Sequence, residues 1–429
     1  MSGIGNYFRG IKIDPTAKIG ADFKIGKKSS VGLNAEIGSG VTLGEQVTVE
    51  PYAHIDDGFT AGNHSQIRDA AQVGKNCQIG EYGRIGKRAR LEDGIKAGYG
   101  CWIDDDSRVG ENCRLLHKNW VGKDAVLEDN VELQKFVMVE NSAYIGENSK
   151  FGANSRVGWY AQVGSEVSLE NDVYLHDKSL VGDNSVFGSK SILGYGSRLM
   201  EGGHIGREVE IDYHAEIGSY VVIEDRAKIG GEVKLGRLST IGEEAFVGRK
   251  SELGYNFILG KNARLEGENL AGHYVRLGDG VRVGYQSQIG HFAQVQENSA
   301  IGKFVNIAEG CRLGKNVQIQ HFVKLGKDSR VEDGVFIGQD SLLGEKTVLG
   351  EGSRLKENTK VGQRSILGKA VKVAERADIG ERVQLGDRAT VRSLAQIEDG
   401  CLIPAGAVVT RGAQITNPFK NENKERRSL

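Results

Sequence analysis

The sequence predicts an all-β solenoid in which short parallel strands, three to a coil, wind around one narrow core. Three observations carry that expectation. From Ile13 to Ile415 one position recurs every six residues, 68 times without a slip, and all but five of these residues are Ile, Leu or Val. The exceptions are Ala61, Ala97, Ala271, Phe151 and Phe187. A second frame lies two residues earlier, from Ala17 to Ala413, and 59 of its 67 positions hold Ala, Ser, Thr, Val or Cys. Finally, the 429 residues include 61 Gly but only 4 Pro, a turn-rich composition unlike that of a disordered low-complexity chain.

Each element follows from these frames. Two inward positions separated by one outward residue have the period of a strand. The two residues after each strand, often including Gly, Asn or Asp, make a corner. The Gly so common directly after the aliphatic residue suits a backbone leaving the strand. No such strand buries its inner face alone. Three of them close an 18-residue triangular coil, and coils stack at about 4.8 Å into a rod on the order of 100 Å long. Strands of three or four residues are expected, with the aliphatic positions buried throughout. Core volume is balanced locally: Phe59 precedes Ala61, Ile95 precedes Ala97, and Ser149, Ser155, Ser185 and Ser191 flank Phe151 and Phe187.

Three segments follow: an N-terminal cap over 1–12, with Ile4, Tyr7, Phe8 and Ile11 as a plug; the solenoid over 13–416; and a charged tail over 417–429. Lys plus Arg (56) nearly equals Asp plus Glu (57), which argues against nucleic acid or an anionic membrane as partner. No apolar run is long enough for a membrane span or a secretion signal, so a cytoplasmic location is expected. The five cysteines, Cys77, Cys101, Cys113, Cys311 and Cys401, all fall in the small inward frame and form no C-x-x-C. They read as small buried hydrophobes rather than metal or redox groups.

The pattern aliphatic-Gly-x-x-small-x, as in "IGSGVT" and "VGKNCQ", resembles the hexapeptide-repeat proteins over residues 13 to 416. The resemblance implies a left-handed parallel β-helix of about 22 coils. "IPAGAVVTRG" (403–412) is similar to the last coil of acetyltransferases in that family. Some of its acyltransferases place a catalytic His two residues after an aliphatic residue, as general base on an acceptor hydroxyl or amine. His117, His273, His291 and His321 occupy that register, and His273 and His291, 18 apart, should stack on one corner. "IQHFVKLG" around His321 is the nearest likeness, although Phe322 stands where those enzymes often carry Asp or Asn. On that alternative the donor is coenzyme A or an acyl carrier protein. The family's zinc enzymes use two His five residues apart, and none of the nine histidines here has that separation. Family enzymes also usually carry an inserted loop and a helical segment, for which the unbroken frame leaves no room. A structural rod, spacer or scaffold without catalysis, cofactor or metal is therefore the first expectation.

The outward residues suggest where such a scaffold associates. At every eighteenth residue one ladder reads Trp102, Trp120, Met138, Arg156, Tyr174, Ile192. Cross-strand stacking on an exposed sheet accounts for such pairs. A contiguous apolar strip also marks an interface, with a protein partner or in a homo-oligomer. Arg156 interrupts the strip and needs a carboxylate or an aromatic face beside it.

Overall fold

A computed structural model describes residues 10–417. Most of the expected cap, including Ile4, Tyr7 and Phe8, and the tail beyond Asn417 lie outside the described residues. The chain divides into two compact units, Met1–Ala215 and Glu216–Leu429. Each is a parallel β-solenoid of 34 strands, β1 (Lys12–Ile13) to β34 (Glu210–Ile211) in the first unit and β35 (Glu216–Ile217) to β68 (Gln414–Ile415) in the second. The described residues contain no helix, and so none long and apolar enough to cross a membrane. Every strand pairs in parallel with strands 18 residues away, as Lys12 with Ser30 and Ile13 with Val31. The architecture is consistent with the left-handed parallel β-helix that the family resemblance implies.

The ladders are two residues long rather than three or four. The hydrogen bonds explain the difference. In hexad after hexad the outward residue donates its N–H to the small residue of the next coil (Lys18 to Ala35, 2.9 Å), and the residue after the aliphatic one donates to the next aliphatic carbonyl (Gly20 to Ile37, 2.7 Å). The second corner residue donates backward, as Gln46 does to Lys27 at 2.8 Å. The strand therefore ends at the small residue on one side and at the Gly on the other.

The corner requires a left-handed residue. Its second position has φ near +60° in hexad after hexad, at Asn76 (56°), Asp172 (60°) and even Phe322 (60°). None of the non-glycine residues with positive φ is β-branched, since a branched Cβ clashes most in that region. The Gly after the aliphatic residue serves another purpose. A Cβ at Gly20 would stand 2.5 Å from the Gly38 carbonyl carbon and 2.6 Å from the Ser39 nitrogen, while Gly20 is not among the positive-φ glycines. Close approach of stacked coils, not conformational freedom, selects glycine there.

The core is as narrow as the pattern requires. Phe59, Phe151, Phe187 and Phe257 are fully buried, beside the small residues that make room for them. At Gly83 an added Cβ would meet Ile79 Cγ2 at 2.1 Å, so a glycine in the small frame yields space to the preceding aliphatic side chain. Burial of the aliphatic frame fails only at the ends: Ile13 and Ile19 are 37% and 38% exposed, and Ile25 and Ile415 are half-buried. Among the described residues these end coils have a neighbour on one side only. Ile11, the described part of the proposed plug, is half-buried.

Most buried polar groups in the small frame bond to the next coil, although Ser107 and Ser251 donate within their own coil and Ser179 Oγ has no partner among the described residues. Ser29 Oγ donates to the Gly44 carbonyl at 2.9 Å and accepts from the Val47 N–H at 3.0 Å. Cysteine takes the same place: Cys77 Sγ donates to the Glu92 carbonyl at 3.0 Å and Cys113 Sγ to that of Glu128 at 3.1 Å. All five thiols are buried in the core. Burial pushes Cys77, Cys113 and Cys311 up to about 11.

Candidate functional site

The four corner histidines share one geometry. Each holds the first corner position, directly before the left-handed residue, and its Nδ1 accepts a backbone N–H from the preceding coil. The donors are Tyr99 to His117 (3.1 Å), Tyr255 to His273 (3.2 Å), His273 to His291 (2.8 Å) and Lys303 to His321 (2.9 Å). Asp57, Asn63 and Asp333 make the same bond from the same register, at 2.6, 2.8 and 2.8 Å. The histidines thus join a set of coil-to-coil caps made by short acceptor side chains. A neutral imidazole that accepts at Nδ1 carries its proton on Nε2. In this arrangement the outer nitrogen is a donor. To act as a general base, the ring would have to exchange tautomers and release the N–H that it caps.

Their surroundings differ. His273 and His291 stack on one corner, with ring centres 4.8 Å apart, and Tyr255 lies on His273 at 3.9 Å. Phe292 packs on Tyr274 one coil away, with centres 5.3 Å apart and planes within 7°. His321 instead borders a depression of about 580 Å³ on the adjoining flat face, lined also by Arg264, Arg282, Lys303 and Gly302. A contiguous hollow of about 320 Å³ over Ala300 shares His321 and ends at Phe336. The hollow exists because Ala300 leaves out the long side chain that Arg282 and Gln318 carry in the neighbouring coils, and Gly302 the one that Gln320 carries.

The structure places the first unit's ladder residues in the expected register: Trp102 opposite Trp120, Trp120 opposite Met138, Met138 opposite Arg156, Arg156 opposite Tyr174 and Tyr174 opposite Ile192. Trp102 and Met138 are 52% and 40% exposed; Trp120, Tyr174 and Ile192 are half-buried. The partners that Arg156 needs come from its own unit. Its guanidinium bonds the buried carboxylate of Glu140, and it lies 5.1 Å from the centre of the Tyr174 ring. Tyr174 in turn rests on His176 at 3.9 Å. Sequence spacing alone did not place Glu140, because it stands two residues outside the ladder, at a register most often filled by glycine. Among the described residues no three His, Cys, Asp or Glu side chains gather as metal ligands would.

The fold and its repeat define a class, a parallel β-solenoid whose coils are capped by side chains at many corners. Comparison with known families places the repeat. Residues 23–50 and 376–411 match the model of the hexapeptide repeat of succinyl-transferase, and residues 283–377 match the GMPPB C-terminal domain. With the unbroken frame and the β-solenoid, these matches show a chain built of hexapeptide repeats. No curated protein sequence matches it. Among solved structures it is similar to the UDP-N-acetylglucosamine O-acyltransferase LpxA of Moraxella catarrhalis, with 20% identity, 41% of this chain, 70% of that chain and a TM-score of 0.21. LpxA of Acinetobacter baumannii gives 19% identity over 40% and 67% of the two chains, with a TM-score of 0.23. The perosamine N-acetyltransferase of Caulobacter crescentus gives 20% identity over 29% and 49%, with a TM-score of 0.20.

Proposed function

We propose that this chain is a structural scaffold of the cytoplasm that associates through the Trp102–Trp120–Met138–Tyr174–Ile192 face, with a second copy of itself as the first expected partner. One observation carries the reading: the apolar strip faces outward while Arg156, its only charge, is already neutralised by Glu140 and Tyr174. A partner covering the strip therefore meets no unpaired charge, which is the usual obstacle to burying such a face. Burying about 100 Å² on each of five side chains removes roughly 500 Å² per partner, at most about 12 kcal/mol. Lost rigid-body freedom offsets much of that, and a standard interface buries about 800 Å² per partner. The expected product is a weak, concentration-dependent dimer or trimer. Sedimentation at tens of micromolar tests it: wild type should associate and Trp120→Glu should remain a folded monomer. Two monomers would leave the strip as surface packing.

The depression beside His321 supports a second reading, acyl transfer from coenzyme A or an acyl carrier protein with His321 as base. His321→Asn separates capping from imidazole chemistry, because Asn63 already makes the same cap. Saturable coenzyme A binding and acyl transfer that survive in wild type but vanish in His321→Asn would favour catalysis. Absence of both in wild type favours the scaffold.

A further inference from the structure

On the flat face of the second unit, beyond Phe336, lies another depression of about 660 Å³. Arg354, Lys356, Lys372 and Arg392 line it, and no carboxylate does. In both units some opposite charges stack one coil apart, as Lys18 with Glu36 (2.6 Å), Lys234 with Glu252 (2.9 Å) and Lys369 with Glu351 (3.1 Å), while like charges face each other at Arg90 and Arg108 and at Arg264 and Arg282. Here Arg354 stands directly opposite Lys372 in the ladder, an unfavourable pairing in isolation. Arg354, Lys372 and Arg392 make no ion pair with a described carboxylate; only Lys356 has one, Glu375 at 2.8 Å.

The register arranges these cations around a gap. Lys356, Ala374 and Arg392 follow one another at intervals of 18 residues, so the two cations stand about 10 Å apart with Ala374 between them. Lys372 lies two residues from Ala374 on the same strand line, about 7 Å away, and Arg354 is diagonal to it. Ala374 projects only a methyl group, so an anion above it comes within reach of three or four cationic side chains. Two coils from Lys372, about 10 Å along the stack, the half-buried ring of Phe336 forms an apolar wall beside Gly334, with Asn316 and Gln318 at its edge.

We infer that this depression binds a diphosphate, its charges over Ala374, joined to a flat ring that lies against Phe336. Guanidinium and ammonium groups from two adjacent columns satisfy several phosphate oxygens at once. The volume is that of a small-molecule site. The inference stands apart from the association face and from His321.

Titration calorimetry on the full chain at low salt tests it, with adenosine diphosphate, inorganic pyrophosphate and adenosine as probes. Both diphosphates should bind at one site and adenosine should not. Lys372→Glu and Arg392→Glu should each weaken both about 10- to 100-fold, the loss expected for one charge-assisted hydrogen bond. Lys372→Gln, milder to the fold, should weaken them in the same direction. Phe336→Ala should weaken adenosine diphosphate and leave pyrophosphate unchanged. Arg90→Glu, an exposed cation of the first unit, and Trp120→Glu should change neither. No heat from either diphosphate at millimolar concentration, or equal losses in Arg90→Glu and Lys372→Glu, would overturn the site. Pyrophosphate binding with adenosine diphosphate indifferent to Phe336→Ala would overturn the ring contact and leave free diphosphate as the ligand.

Discussion

The two units share a core and differ in what their flat faces present. At the same sequence register the first unit carries Trp102, Trp120, Met138, Arg156, Tyr174 and Ile192, and the second carries Phe246, Arg264, Arg282, Ala300, Gln318, Phe336, Arg354 and Lys372. The first stretch is mostly apolar and its one cation is paired; the second alternates aromatic rings with more cations and is hollowed at Ala300 and Ala374. The inward residues scarcely change between them. A hexad constrains its inward positions by volume and its corners by backbone conformation, and leaves the outward residue free. Difference in function between the units is therefore written outward.

The largest expected effect challenges the claim of a common core. Phe187→Ala in the first unit and Phe257→Ala in the second each empty a fully buried site. Each should lower stability by about 3–5 kcal/mol in urea denaturation. A cost in one unit only would show that the cores are not equivalent.

Alkaline pH sharpens the comparison next. Burial raises the folded thiols of Cys77, Cys113 and Cys311 to about 11 from an ordinary value of 9.0. Unfolded thiols ionise first, so the stabilisation is complete below pH 9 and is lost progressively towards pH 11. Two of these thiols lie in the first unit and one in the second, so the first should lose protection earlier in hydrogen exchange as pH rises. Alkylation followed by mass spectrometry should find all three thiols unreactive at pH 8 in the folded protein.

Corner caps give a smaller effect, equal in the two units. His117→Ala and His321→Ala each leave a backbone N–H without its acceptor and should cost about 1 kcal/mol, whereas His117→Asn and His321→Asn should be near neutral by thermal melting. The smallest effect has the opposite sign. Leu394 holds φ at +61° with its side chain 45% exposed, so Leu394→Gly should stabilise by up to about 1 kcal/mol.

Much of this was legible in the chain. The two inward frames located the core residues, and the Phe–Ala and Phe–Ser neighbours gave its local balance. The Gly that so often follows the aliphatic residue was visible, but its reason was not. It reads as a flexible exit from the strand, while the contact that excludes a Cβ at Gly20 comes from Gly38 and Ser39, one coil away. The corner histidines were visible too, and their shared register with Asp57, Asn63 and Asp333 was a signal that could have identified them as caps. Recognising it required the hydrogen bond from the preceding coil.

The sequence by itself determined the coil: which residues turn inward, where each corner falls and that the coils stack in register. Those properties are local and repeat every six residues, so periodicity reports them. Only the tertiary structure decided which outward groups meet. Glu140 reaches Arg156, Arg156 covers Tyr174, and cations from neighbouring coils surround Ala374. Such neighbours belong to different coils, and their pairing depends on side-chain length and direction, which a repeat of six does not encode.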